Sequence, residues 1–421
     1  MGSTGVSFDA TKVELLRAAA ELTAAINDYV ATPAPEGAEG AVLEQRRRRD
    51  IVDATDRVQR LVKDPADQWI DVVYPQTLAT TKRLFYDWGV FEAIPPEGSI
   101  SYADLAAKVD AEEVLLARLG NILVGAEVLG QVGKDAVAHT DSSRIFLKGH
   151  VGGQLFNLSW DNCLTVYPAM PKYFETYGRK EPQTSNHIPF SFAYGLPEQG
   201  FYDVMSADPA KMATFIPAMA AVESRMPVAG VYDFSWVVSL LADAEKAPAA
   251  DRPVLVDVGG GKGHAIKAIV NEFPGLPLDR CVLQDRPDTI DAVVALDEPE
   301  LKGVTKQGID FFKEQPVKGA LLYFIRRCLH NHPEAHCEQI LKHLVEAAAV
   351  DSKILIFEDV LDTPPHYTGA IFDFMMLGMG GKQRTQEGWE KLLAKVGLKI
   401  ASISRGQGPW RSQCVIECVK V

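Results

Sequence analysis

Cysteine is scarce in this chain of 421 residues: six occur, at positions 163, 281, 328, 337, 414 and 418, with no Cys-x-x-Cys pair. That spacing argues against a zinc ribbon, a thioredoxin-like redox pair or a disulfide-stapled scaffold, and predicts free thiols in a reducing compartment. Positive charge is also short. Lys and Arg number 43 against 56 Asp and Glu, a formal net charge of −13. A field of that sign repels phosphate, which excludes nucleic acid and anionic membrane as expected partners. The one basic run, Arg46 to Arg49, lies between Glu44 and Asp50 in a helical pattern and reads as a solvated helix face. No apolar run is long enough to span a bilayer, and the opening Met-Gly-Ser-Thr-Gly-Val-Ser-Phe lacks a basic–apolar leader pattern. Repeats and low-complexity tracts are missing too. The expectation is a cytoplasmic globular protein; at 47% hydrophobic and 24% charged residues, it has material for two or more cores.

What is present centres on residues 254–263, Val-Leu-Val-Asp-Val-Gly-Gly-Gly-Lys-Gly, followed by the amphipathic His264–Phe273. A β-branched run, a glycine cluster and a helix start make the first unit of a nucleotide-binding α/β sheet. The spacing Gly259-x-Gly261-x-Gly263 fits neither the dinucleotide fingerprint nor a Walker loop, because Lys262 is followed by glycine. Two downstream acids sharpen the picture. Asp285 closes the predicted strand 280–285, where an ionised carboxylate can accept both hydroxyls of a ribose. Asp310, beside Phe311 and Phe312, can accept from the exocyclic amine of adenine while Phe311 covers the ring. Each has a plainer reading, Asp285 as a helix cap before Pro287 and the phenylalanines as core. Together and in order they favour the nucleoside.

With these residues the chain resembles the class I S-adenosylmethionine-dependent O-methyltransferases, in particular the two-domain enzymes of plant caffeate type and their fungal secondary-metabolite relatives. The resemblance runs from about Trp69 to the C-terminus. It takes in Leu321-Leu-Tyr-Phe-Ile-Arg-Arg-Cys-Leu-His330, Ile354-Leu-Ile-Phe-Glu-Asp-Val360, Phe372-Asp-Phe-Met-Met376 and Gly380-Gly-Lys-Gln-Arg-Thr385. It implies an α/β fold: a doubly wound, mostly parallel, Rossmann-like methyltransferase sheet with an N-terminal helical, winged-helix-like dimerisation domain. The expected boundaries are 1–155 for that domain, 156–250 for a helical bridging and substrate-pocket region, and 251–421 for the cofactor-binding catalytic domain. Within the first region, helices are predicted over 9–30, 41–63, 76–91 and 111–128, a breaker-rich loop over 32–40, an N-cap at Ser101 and a β wing over 139–147. Acidic charge favours dimerisation over DNA binding for such a domain.

The resemblance implies S-adenosyl-L-methionine as cofactor, held by Asp257, Gly259, Gly260, Gly261, Asp285, Arg286, Asp310, Phe311 and Arg326. His330, just past the strand 321–325, falls where the family has its general base, and imidazole suits proton removal near neutral pH. Glu358, expected at the end of strand 354–357, would fix its tautomer. A capping histidine and a strand-end acid are the plainer alternatives. Two departures stand out: His330-Asn331-His332 replaces a base followed by Asp and Trp, and Gln386 follows Arg384-Thr385 where a Glu is common. Gln386 therefore joins His330 and Glu358 as a candidate catalytic residue. Trp160, His187, Phe190, Asp373 and Met376 are candidates for the acceptor pocket, which suits a flat aromatic or polyketide-like small molecule. His330, His332 and His336 do not complete a tetrahedral ligand set, so no metal is expected.

The expected activity is methyl transfer to a phenolic or enolic hydroxyl of a small secondary metabolite by a homodimer. The alternative keeps fold and cofactor but catalyses dehydration or pericyclic ring formation. A catalytically dead nucleotide-binding scaffold is a third reading, weakened by the presence of His330 and Glu358.

Overall fold

The computed structural model describes residues 8–31, 33, 38–224, 226, 228–406 and 412–421. The opening residues and most of the predicted loop 32–40 lie outside that set. The chain divides into two compact units, 1–153 and 154–421.

The first unit begins with α1 (Phe8–Ala31) and α2 (Ala38–Val62), which pair along their length, and α3 (Gln68–Asp87). The third helix starts eight residues before the predicted 76, because the turn Pro65–Asp67, capped by Asp64, feeds straight into it. Gly89, at φ +67°, ends that run and opens α4 (Val90–Ala93). Next come β1 (Ile100–Ser101), α5 (Tyr102–Lys108), α6 (Glu113–Gly125), β2 (Leu129–Val132), β3 (Ala136–His139) and α7 (Asp141–Arg144). Ser101 caps α5 as its sequence predicts, its side chain accepting from the Asp104 N–H. The wing, however, is misplaced in the sequence reading. The hairpin is β2–β3, turning at Gly133 (φ +63°), and β1 joins it. Residues 141–144 are helical because Thr140 and Ser143 form a reciprocal cap.

The second unit opens with helices α8 (Val151–Ser159, which starts at the boundary), α9 (Met170–Tyr177), α10 (Pro189–Ala193), α11 (Phe201–Ser206), α12 (Pro209–Ser224) and α13 (Ser235–Ala242). Alternation follows: β4 (Leu255–Val258), α14 (His264–Glu272), β5 (Cys281–Asp285), α15 (Pro287–Leu296), β6 (Thr305–Gly308), β7 (Leu322–Arg326), α16 (Glu334–Ala347), β8 (Lys353–Leu361), α17 (Tyr367–Gly378), β9 (Arg384–Thr385), α18 (Gln386–Lys395), β10 (Leu398–Arg405) and β11 (Gln413–Lys420). The main sheet has the order β10-β11-β8-β7-β4-β5-β6. β11 is antiparallel to both neighbours, and the strands from β8 to β6 are parallel.

Strand alternation decides which face each residue serves. Val256, Val258, Tyr323, Ile325 and Ile356 pack with Ile340 and Leu344 of α16 and Trp389 and Leu392 of α18. Leu255, Leu283, Phe324 and Leu355 pack on the other face with Ile266 of α14 and Ile290 of α15. Both faces are covered, so the strands read as unbroken apolar runs. From β4 the chain goes outward through β5 and β6, then crosses back to place β7 on β4's other side. The crevice over the carboxyl ends of β4 and β7 is the position where such sheets bind ligands. Among the described residues, no helix is long and apolar enough to cross a membrane.

Candidate active site

The glycine turn leaves β4 at this crevice. Gly259 (φ +71°) brings its Cα against Cys328, whose Sγ would lie 2.7 Å from a Cβ at 259; at Gly260 a Cβ would overlap the Asp257 carboxylate. Gly261 donates its N–H to Asp285 Oδ2 at 2.8 Å, and the Arg286 N–H reaches Asp285 Oδ1 at 2.8 Å. One carboxylate thus ties the turns after β4 and β5, with lone pairs left for a further donor. Asp257 is buried beneath the turn, and neither of its oxygens has a hydrogen-bond partner among the described residues. Burial pushes its carboxyl up to about 7, Arg326 pulls against that shift, and Asp285 adds to it. Asp310 follows β6, accepting from the Phe312 N–H at 3.0 Å, and Phe311 reaches within 3.7 Å of a Cβ built on Gly259.

Asp257, Asp285 and Asp310 therefore surround the turn with carboxylates. That set fits a cationic nucleoside and would repel a phosphate. Arg326 ends β7 with its guanidinium 5.4 Å from the Phe357 ring and Nη2 donating to the Met226 carbonyl at 3.3 Å. The Arg286 side chain instead turns outward to Asp288, 3.1 Å away.

His330 sits in a single 3₁₀ turn, Leu329–Asn331, just beyond β7 and only 4% exposed. Its Nδ1 lies 2.7 Å from Glu358 Oε2, and its backbone N–H donates to Oε1 at 3.3 Å. Glu358 is 1% exposed and lies inside β8, which runs on to Leu361 and does not end at 357 as its sequence suggests. The extension follows from pairing: Asp359 faces Gln413 of β11, and Val360 and Leu361 face β9. Burial raises the Glu358 carboxyl, but His330 and Arg327 outweigh it and leave it below the ordinary range.

The His330 turn is held from three sides. Arg327, in left-handed backbone at φ +53°, has its carbonyl bonded by the Asn331 side chain at 3.2 Å. The Lys382 N–H reaches the His330 carbonyl at 2.9 Å, and Gly381 lies flat against the same carbonyl. Next in that loop, Gln383 is 7% exposed, its Oε1 is buried without a partner among the described residues, and its N–H donates to Asp373 Oδ1 at 2.8 Å. Gln383 is the residue that sequence reasoning missed, although it stands in the Gly380–Thr385 stretch. Gln386, three residues on, is exposed on α18 and bonds Glu390 at 3.0 Å, away from His330.

The remaining candidates divide. Asp373 and Met376 lie on α17, whose Phe374 packs edge-on to Tyr167 with ring centroids 4.9 Å apart. Trp160 opens a π-helical turn, 6.4 Å from Phe156 between centroids. Phe190 is fully buried among Val166, Met170, Ile188 and Phe201, so it builds the wall's core. His187 points to Glu198 Oε2, 2.8 Å away, and is not brought to His330. His332 is packed edge-on to Phe311 and Phe312, at 5.7 and 5.3 Å between centroids. Burial, then the neighbouring His336 and His330, push it down to about 4, so it is neutral.

Comparison with known proteins places this geometry. The profile of the O-methyltransferase domain family matches residues 178–399. The methyltransferase cfoD of Aspergillus candidus is 36% identical over 378 residues, covering 89% of this chain and 92% of that protein. The crystal structure of OxaC in complex with SAH and oxaline superposes with a TM-score of 0.80 at 22% identity, covering 98% of this chain and 100% of that one. A structure described as a pericyclic reaction enzyme superposes at 0.74 with 21% identity, covering 97% and 100%. With the domain profile spanning more than half its residues and a relative matched over most of both lengths, the chain belongs to the O-methyltransferase-domain family of S-adenosylmethionine-dependent methyltransferases.

Proposed function

We propose that this protein transfers a methyl group from S-adenosylmethionine to a phenolic or enolic hydroxyl of a small secondary metabolite, with His330 as general base. The observation that carries the reading is the buried His330–Glu358 pair, 2.7 Å apart, at the crevice where β4 and β7 end. A carboxylate 2.7 Å from Nδ1, close enough for charge attraction though not aligned for a hydrogen bond, favours the proton on that nitrogen and leaves Nε2 to take the acceptor's hydroxyl proton. Glu358 then stabilises the imidazolium that forms. When bound, S-adenosylmethionine supplies a methyl carbon activated by a positive sulfonium.

The chain's task is to hold and orient. Asp285 and the Gly259–Gly261 turn would hold the sugar, Asp310 and Phe311 the base, and the Asp257 carboxylate beneath the turn would favour the cationic end by its charge. α17, with Asp373 and Met376, lines the acceptor side. Family members named only as methyltransferases, and the SAH bound by OxaC, support the cofactor. Homodimerisation through the first unit belongs to the same reading.

A second reading keeps cofactor and fold without methyl transfer; a neighbour of the same fold is described as a pericyclic reaction enzyme. It is favoured by one observation: the residues beside His330 in its turn and in the glycine loop, Asn331 and Gln383, are amides and supply no second carboxylate. One experiment separates the two. Purified protein is incubated with S-adenosylmethionine and a panel of phenols and enols, and S-adenosylhomocysteine release is followed. Methyl transfer predicts release that His330→Ala abolishes while calorimetric cofactor affinity stays intact. Cofactor binding with no release across the panel favours the second reading.

A further inference from the structure

We propose that the open cavity lined by Phe174, Arg179, Lys180, Glu181 and Leu377 is an acceptor subsite that takes an anionic group, such as a carboxylate, sulfonate or acidic enolate, carried on an apolar body. Its volume is about 430 Å³, enough for part of a small molecule. The proposal rests on the methyl-acceptor reading and adds the acceptor's chemical class.

Position links the cavity to the chemistry. Leu377 follows Met376 on α17, and Glu181 Oε2 lies 3.0 Å from Lys382 Nζ. The same Lys382 donates its backbone N–H to the His330 carbonyl at 2.9 Å. A single residue thus joins the cavity's rim to the turn that holds the base. The electrostatics are connected as well: burial holds the Asp373 carboxyl above its ordinary value, with Glu181 adding to that and the Gln383 N–H, Lys382 and Arg384 opposing it.

Chemistry supplies the ligand class. Phe174 and Leu377 form the apolar walls, with Phe174 braced edge-on against Tyr173 at 5.1 Å between centroids. Gly178, at φ +90°, turns the chain at the end of α9 and delivers two adjacent cations to the rim. Neither the Arg179 nor the Lys180 side chain has an ion-pair or hydrogen-bond partner among the described residues. Their neighbours are matched: Lys172 pairs with Glu175 at 2.9 Å, and Lys382 with Glu181. The Glu181 carboxylate also lines the cavity and pairs with Lys382 at 3.0 Å, an ammonium that also lies 3.7 Å from Glu334. In a chain of net charge −13, two uncompensated cations over an apolar wall are a local reversal of sign.

The test uses full-length protein saturated with S-adenosylhomocysteine and two fluorescent probes of nearly the same shape. One is 1-anilinonaphthalene-8-sulfonate; the other is N-phenyl-1-naphthylamine, which lacks the sulfonate. Arg179→Ala/Lys180→Ala should weaken sulfonate binding about tenfold and leave the neutral probe unchanged. Phe174→Ala should weaken both, which assigns the signal to this cavity and not to apolar surface elsewhere. Raising salt should weaken the sulfonate in the unsubstituted protein and much less in the double variant. The proposal is overturned if the unsubstituted protein does not bind the sulfonate, if the double variant binds it unchanged, or if both probes weaken equally. It is overturned as well if Phe174→Ala alters neither. None of these readouts needs turnover or His330, so a failure here stands apart from a failure of the methyl-transfer reading.

Discussion

Gly381 is pressed against the backbone of His330 so closely that any side-chain carbon at position 381 would overlap the histidine's carbonyl oxygen. The neighbouring Lys382 N–H bonds that same oxygen at 2.9 Å. His330 is therefore positioned through its main chain by the loop between α17 and β9, as well as through its ring by Glu358.

Gly381→Ala should move that loop or the His330 turn, since the obstruction is backbone and cannot rotate away. A cost of about 1–3 kcal/mol in stability is expected, with turnover falling further than stability alone explains. Thermal melts and steady-state rates, measured with calorimetric cofactor affinity as the control, give both numbers.

Glu358→Gln keeps the shape but removes the charge facing His330. Turnover should fall by about 10²- to 10⁴-fold, the range for misorienting a general base, with cofactor affinity nearly unchanged. The stability consequence has a definite sign. The folded-state pKa of Glu358 is depressed, so its contribution is present above the unfolded value and is lost as pH falls through the folded one. Acid melts below the ordinary carboxylate range should show a loss in the unsubstituted protein that the Gln variant does not share.

Asp257 has the opposite sign. With its carboxyl pushed up to about 7 from an ordinary 3.8, the folded apoprotein holds this proton more tightly than the unfolded chain. Apoprotein stability should therefore decline as pH rises from about 4 to about 7, by a few kcal/mol at most. Asp257→Asn should flatten that decline and weaken cofactor binding. Calorimetry in buffers of different ionisation enthalpy should also detect a proton released when a cationic cofactor binds near pH 6.

Gln383 offers a gain-of-charge test. Gln383→Glu places a carboxylate in the loop packed on His330, which should make the imidazole more basic and move the acid limb of the rate profile upward by about one pH unit. A purely structural role for Gln383 would change the rate without moving that limb.

Most of the architecture was legible because its signals are local and periodic. The run Val254–Val258 into glycine, the carboxylate at Asp285 and the stretch ending in His330 each announce a strand end, and the crossover rule fixes where those ends meet. What escaped reading was set by tertiary pairing. Glu358 looked like the last residue of its strand because the apolar run stops at Phe357; β9 and β11 prolong the strand past that point. The sequence suggests a wing after His139 where the hairpin lies before it, because the polar Thr140–Ser143 segment that forms a reciprocal helix cap resembles strand alternation. Gln386 stands out in the sequence because the resemblance puts a Glu after the Arg-Thr pair, whereas which amide the loop buries is set by tertiary packing. Asp257 itself is legible from its motif, but that its buried carboxylate lacks a partner among the described residues has no sequence signature.

Under the proposed function, Asp285 would make cofactor choice and loop shape one property. Its two oxygens staple the turns that follow neighbouring strands, through Gly261 and Arg286, and in that reading the same carboxylate would also accept the ribose hydroxyls. Redesign toward a nucleoside with an altered ribose cannot exchange this side chain in isolation: a shorter or longer acid would release both turns together. Any altered specificity for the sugar must come from residues that reach over Asp285, leaving the staple in place.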